Sequence, residues 1–193
     1  MPASIDDRAL VERLWRDSLD LGIMAVDFAD GYVLQAIAHV VASMGGSLFI
    51  DAGAGIGFST YWIIKGVSSG CQGGCRVVAI EYLRGRLERL ASNVKTMGEE
   101  AGVRVEAVSA DALDYISGLG AESIDYVFVD IEKESYPLML RLLEARLSRK
   151  GVAIFHNAFH PRPPEEFFQA LSRGPWITST IPTSAGIVVA VRK

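Results

Sequence analysis

The sequence predicts an α/β fold, a doubly wound and mostly parallel sheet preceded by N-terminal helices, and three features predict it. From Ser47 onward, short apolar runs alternate with longer segments of helical periodicity, the pattern of strands joined by crossover helices. The first run, Leu48-Phe49-Ile50, ends on Asp51 and passes directly into a glycine-rich turn and the start of a helix, SLFIDAGAGIGFST. The last stretch, WITSTIPTSAGIVVAVRK, reads instead as two strands with a turn near Thr183 to Gly186, which adds an antiparallel hairpin at the C-terminal side. No repeat, linker or low-complexity segment interrupts residues 1–193, which read as a single domain: 1–46 the N-terminal helices, 47–193 the α/β core.

Leu10, Val11, Leu14, Trp15 and Leu19 recur at helical spacing among charges and predict an amphipathic helix over 6–20. A turn is expected around Asp27 to Gly31, then an apolar helix from Tyr32 to Ser43 closed by Gly45 and Gly46. His39 on that helix receives no role. Strands are expected at 48–51, 76–80, 104–108, 125–129 and 151–155, with helices near 58–66, 82–98, 112–117 and 136–147. Arg84, Arg86, Arg89 and Lys95 share the second of these with Glu88, which marks a solvated face rather than an RNA groove. The prolines of PRPPEEFFQALSRG fall at the start of a last helix, where no backbone N–H is needed.

Composition sets bounds on function. Half the residues are hydrophobic and 22% are charged, as in an ordinary folded protein, and the net charge of −4 argues against a general nucleic-acid binder. No run approaches the roughly 18 apolar residues of a membrane span. The first residues, MPASIDDRAL, carry acids where a secretory signal carries positive charge, so a cytoplasmic location is expected. Cys71 and Cys75, in GCQGGC, lack histidines to complete a zinc site and read as reduced thiols in a surface loop, or as a local disulfide if the source is a hyperthermophile.

Ligands of open α/β sheets sit beyond the carboxyl ends of the strands, and here four of those ends carry or lead to acids: Asp51, Glu81, Asp111 and Asp130. The fifth ends at His156-Asn157. Gly53, Gly55 and Gly57 alternate through the first turn, a spacing that differs from the dinucleotide fingerprint and disfavours a dehydrogenase. Glycines there let backbone and ligand approach closely. Glu81 has two acceptor oxygens suited to a ribose diol, and Asp111 suits either an adenine amino group or the N-cap of helix 112–117.

The Gly-x-Gly-x-Gly turn, with an acid two residues before the first glycine, resembles motif I of the class I S-adenosylmethionine methyltransferases. VDIEKESY resembles the D-x-D-K-x-x-Y segment of their small cation-dependent O-methyltransferases, the catechol and caffeoyl-CoA type. The likeness extends from Met24-Ala25-Val26 through Gly31, DAGAGIGFST and SADAL to FHNAF and PTSAGIVVAVRK. It implies a Rossmann-like core that binds S-adenosylmethionine through Val26, Asp51, Gly53, Ala54, Gly55, Gly57, Ser59 and Asp130. Asp51 meets the ammonium and Ser59 the carboxylate of its amino-acid end, Glu81 the ribose, and Asp111-Ala112 the adenine. Asp130 and Asn157 would ligate a divalent cation, Lys133 would be the general base, and Asp130 would join it in catalysis.

This sequence departs from that family at Glu132, His156 and Ala185. As a third ligand, His156 would favour Mn²⁺, Co²⁺ or Zn²⁺ over Mg²⁺; it reads equally as a buried strand-end histidine bonded to Asp130. The expected activity is O-methylation of a small hydroxylated acceptor. Methylation of a hydroxylated tRNA base and a cofactor-binding module without catalysis are the alternatives, and nucleic acid is disfavoured by the net acidity. Apolar stripes on the N-terminal helices, and the resemblance, lead us to expect a homodimer.

Overall fold

The computed structural model describes residues 8–193, so the start of the first predicted helix, residues 6 and 7, lies outside the described residues. The elements run α1 (Arg8–Asp20), α2 (Phe28–Ser43), β1 (Leu48–Ala52), α3 (Phe58–Gly70), β2 (Arg76–Glu81), α4 (Arg84–Ala101) and β3 (Arg104–Ser109). They continue with α5 (Ala112–Ser117), β4 (Ile124–Val129), α6 (Tyr136–Arg146), β5 (Leu147–His156), α7 (Glu165–Arg173), β6 (Trp176–Ile181) and β7 (Ile187–Arg192). The seven strands form one sheet in the order β3-β2-β1-β4-β5-β7-β6. The first five are parallel, whereas β7 runs antiparallel to β5 and to β6. This is the doubly wound sheet with a closing hairpin that the sequence predicts.

Every residue of β1 is buried, because helices cover both faces of the sheet and leave neither to water. Alternate side chains serve different cores. Phe49, Val77, Ala79, Tyr126 and Phe128 pack under α1 to α4, while Ile50, Val78, Ile80, Val127 and Val129 pack under α5 to α7. The helices α2 and α3 lie close together because α3 carries Gly66, where a Cβ would stand 2.3 Å from the Gln35 carbonyl oxygen. Among the described residues no helix is long and apolar enough to cross a membrane.

Three local expectations are corrected. Residues 27–31 are not a turn but the beginning of α2, fixed by a reciprocal capping box in which Asp27 accepts from the Asp30 N–H at 2.8 Å and Asp30 accepts from the Asp27 N–H at 3.1 Å. Strand β5 begins at Leu147 rather than 151, because its pairing with β4 shifts register between Ile124 and Tyr126 and carries the partly exposed residues 148–150 within the strand. Cys71 and Cys75 are joined as a disulfide across the GCQGGC loop, in place of reduced thiols.

Candidate active site

The helices leave the sheet in opposite directions from β1 and β4, which are neighbours, so the switch point of the sheet lies at the carboxyl ends of these two strands. A narrow cleft of about 30 Å³ opens there, lined among others by Val26, Gly53, Ala54, Gly55, Ser59 and Asp130. Six of the residues predicted to hold a cofactor are thereby brought together. The turn after β1 can pass this close to β4 only because Gly53 has no side chain: its φ is 94° and a Cβ would lie 2.2 Å from the Asp130 carbonyl oxygen. Gly57 starts α3 in the left-handed region and does not reach the cleft wall.

Asp51 is fully buried on β1. Its Oδ2 accepts from Ser59 Oγ at 2.8 Å and from Thr60 Oγ1 at 2.5 Å, while its Oδ1 is buried with no hydrogen-bond partner. Burial pushes the carboxyl up to about 6, against the two hydroxyl bonds, which lower it, and with Asp130 and Glu81 adding to the rise. Asp51 stands behind Ser59 rather than on the cleft wall, and its Oδ1 is a buried acceptor that nothing in the protein satisfies. Ser59 is therefore spent on Asp51 rather than free for a carboxylate, as had been expected of it. Thr60 was missed by sequence reasoning, although its place one residue after Ser59 at the helix start was the available signal.

Glu81 ends β2, buried, with Oε2 accepting from the Gly55 N–H at 3.1 Å and Oε1 from the Leu83 N–H at 2.8 Å. It thus ties the glycine turn to β2 and keeps a further lone pair on each oxygen. Asp111 caps α5, its Oδ1 accepting from Leu113 and Asp114, and Ala112 is buried behind it.

At the end of β4, Asp130 stands between two basic groups. Lys133 donates to Oδ1 at 2.7 Å and to the Ile131 carbonyl at 3.0 Å, and His156 Nδ1 lies 3.3 Å from Oδ2. The other ring nitrogen, Nε2, is 3.1 Å from Oδ2 of Asp30, a residue of α2 that is 1% exposed. Sequence reasoning missed Asp30, having taken residues 27–31 for a turn. Burial acts to lower the histidine, yet Asp130 and Asp30 on either side push it up to about 9. Burial acts to raise both aspartates, and the histidine outweighs it and holds them below the usual carboxylate range.

The expected metal set of Asp130, His156 and Asn157 does not assemble as a cation site. Both oxygens of Asp130 face basic groups, both nitrogens of His156 face carboxylates, and Asn157 Nδ2 donates to the His160 carbonyl at 2.8 Å. Among the described residues no group of three His, Cys, Asp or Glu side chains is arranged to hold a metal ion. The donor set does not fit a divalent cation, and the histidine adopts the other reading, a buried strand-end residue against Asp130.

A family model described as a methyltransferase domain matches residues 50–158, more than half of the chain. A relative from Mycobacterium sp. (strain KMS), named a candidate O-methyltransferase, is 28% identical over 154 residues, which cover 78% of this chain and 64% of the relative. The chain thus spans just under two thirds of that relative's length. Among solved structures, a methyltransferase from Geobacter sulfurreducens superposes with a TM-score of 0.81 at 23% identity, covering 97% of this chain and 89% of the other. An O-methyltransferase from Bacillus cereus, solved in complex with S-adenosylhomocysteine, superposes with a TM-score of 0.76 at 20% identity over 98% and 93% of the two chains. These likenesses agree with the strand order and with the glycine turn at its switch point. The chain belongs to the methyltransferase domain family.

Proposed function

We propose that residues 1–193 act as one methyltransferase domain that binds S-adenosylmethionine at the β1–β4 switch point and methylates the hydroxyl of a small acceptor. The observation that carries this reading is the buried, unpartnered Oδ1 of Asp51, bonded through its other oxygen to Ser59 on the wall of the cleft. An ammonium fits that oxygen, and a carboxylate suits the N–H groups of the first turn of α3, since those of Gly53, Ala54, Gly55 and Gly57 are already donated within the protein. Glu81 would take the ribose diol with its remaining lone pairs, and Asp111 with Ala112 would border the adenine. When bound, S-adenosylmethionine supplies a methyl group on a positively charged sulfur, and transfer leaves the electron pair of the broken C–S bond on that sulfur.

Lys133 and Asp130 would serve as the reacting pair on the acceptor side. Lys133, once its ammonium proton has passed to water, would take the acceptor's hydroxyl proton, and the ammonium so restored is held by ionised Asp130 while the freed oxygen attacks the methyl carbon. Alignment of the two partners in one cleft supplies much of the rate. Met24, 82% exposed and lining the same cleft, together with exposed Phe159, favours an apolar or aromatic acceptor. Exposed Val40 and Met44 on α2 support a homodimer, and the charge of −4 supports a small molecule over nucleic acid. A cytoplasmic location is part of the same reading.

The test is transfer of labelled methyl groups to a panel of catechols and other phenols. Lys133→Met should lower the rate at least tenfold with little change in S-adenosylhomocysteine affinity, and an unchanged rate and pH profile would remove Lys133 from the chemistry.

A further inference from the structure

Lys133, Asp130, His156 and Asp30 form one continuous chain of contacts at 2.7, 3.3 and 3.1 Å, from the cleft into the core under α2. Nε2 of His156 is hydrogen-bonded to Asp30, and Nδ1 stands 3.3 Å from Asp130 Oδ2 without a formed hydrogen bond; because an ionised carboxylate only accepts, a carboxylate beside each nitrogen favours a proton on both. The ring is then an imidazolium, 4% exposed. Two carboxylates are balanced by two cations, and the cluster is neutral without any added ion. Both oxygens of Asp130 are engaged, and a divalent ion placed on them would stand within reach of two positive side chains.

Resting on the methyltransferase reading above, we propose that Asp30 and His156 are positioning residues which, with Lys133, hold Asp130 where a divalent cation would otherwise be needed, so that the site binds its cofactor and transfers methyl without a metal. His156 supplies the positive charge, and Asp30 supplies its orientation. Asp30 does this from the third residue of α2, where the capping box fixes its Oδ2 against both the Asp27 N–H and the imidazole. Neither residue reaches the reacting atoms; both act through Asp130.

The experiment uses the full chain after dialysis against EDTA. Mn²⁺ titrated into it and followed by electron paramagnetic resonance should show no saturable binding up to millimolar concentration. S-adenosylhomocysteine affinity, measured by calorimetry with EDTA and with added Mn²⁺, should agree within twofold. The ¹⁵N spectrum of the His156 ring at pH 7 should show both nitrogens protonated. His156→Asp, which removes the resident cation and adds a carboxylate, should gain at least tenfold in Mn²⁺ affinity. Saturable Mn²⁺ binding by the parent that Asp130→Asn abolishes, a neutral His156 ring, or a folded His156→Asp with unchanged Mn²⁺ affinity would each overturn the inference. Should that variant not fold, the measurements on the parent decide alone. Cofactor binding that requires Mn²⁺ overturns this inference while leaving the methyltransferase reading intact, whereas no binding in either condition overturns both.

Discussion

Replacing Asp51 by Asn separates the cost of this buried acid from its use. The carboxyl is raised from 3.8 to about 6, chiefly by burial, which corresponds to roughly 3 kcal/mol at about 1.4 kcal/mol per pH unit. An acid whose folded pKa lies above its unfolded value binds its proton more tightly when folded. Its contribution is therefore most favourable below pH 3.8, declines as pH rises toward 6, and is constant above that. Asn keeps an acceptor for Ser59 and Thr60 but puts an amide where Oδ1 had no partner, a fixed cost of about 1–3 kcal/mol that does not depend on pH. The difference in unfolding free energy, variant minus parent, should accordingly rise by up to roughly 3 kcal/mol between pH 4 and pH 6 and then stay level. Urea titrations at a series of pH values measure it. S-adenosylhomocysteine affinity should fall by about 30-fold or more, since loss of one member of a buried charge pair costs at least about 2 kcal/mol. A flat difference across that pH window, with cofactor affinity unchanged, would refute the reasoning.

Gly53→Ala should cost roughly 3 kcal/mol, because the new Cβ meets the Asp130 backbone at 2.2 Å and the φ of 94° disfavours any side chain. Thermal unfolding and cofactor calorimetry should both register it, and a variant matching the parent in both would show that the turn does not pass this close. On the alkaline side, His156 is raised from 6.5 to about 9, so its contribution is fully present below pH 6.5 and lost as pH rises through 9. Stability of the parent should fall by up to roughly 3 kcal/mol over that range relative to His156→Gln. Parallel pH profiles of the two proteins would contradict the ion pair.

The alternation of strand and helix was legible because parallel strands covered on both faces are continuous apolar runs, as in IDYVFVD and VVAIE. The places of Asp51, the glycine turn and Glu81 were legible for a related reason: each sits within a few residues of a strand end, and the topology alone carries it to the carboxyl edge of the sheet, where Gly53 and Gly55 line the cleft and Asp51 and Glu81 stand behind it. Asp30 was not. Its partner lies 126 residues away, and the residues around it, Asp27 to Gly31, resemble a turn as much as the first turn of a helix. An Asp three residues after an Asp N-cap was the missed signal. The metal expectation failed at the same place, since the family pattern assigns ligands by position, whereas His156 is held from the far side by Asp30 of α2 and Lys133 reaches back three residues to Asp130. The start of β5 was hidden because Ser148, Arg149 and Lys150 belong to an irregular stretch of the strand and are not buried.

Isothermal titration of S-adenosylhomocysteine and of NAD into the full chain tests the central claim most directly. The account predicts micromolar binding of S-adenosylhomocysteine, lost in Glu81→Ala as both the ribose partner and the Gly55 tether disappear, and no binding of NAD. Binding of NAD without S-adenosylhomocysteine would contradict it.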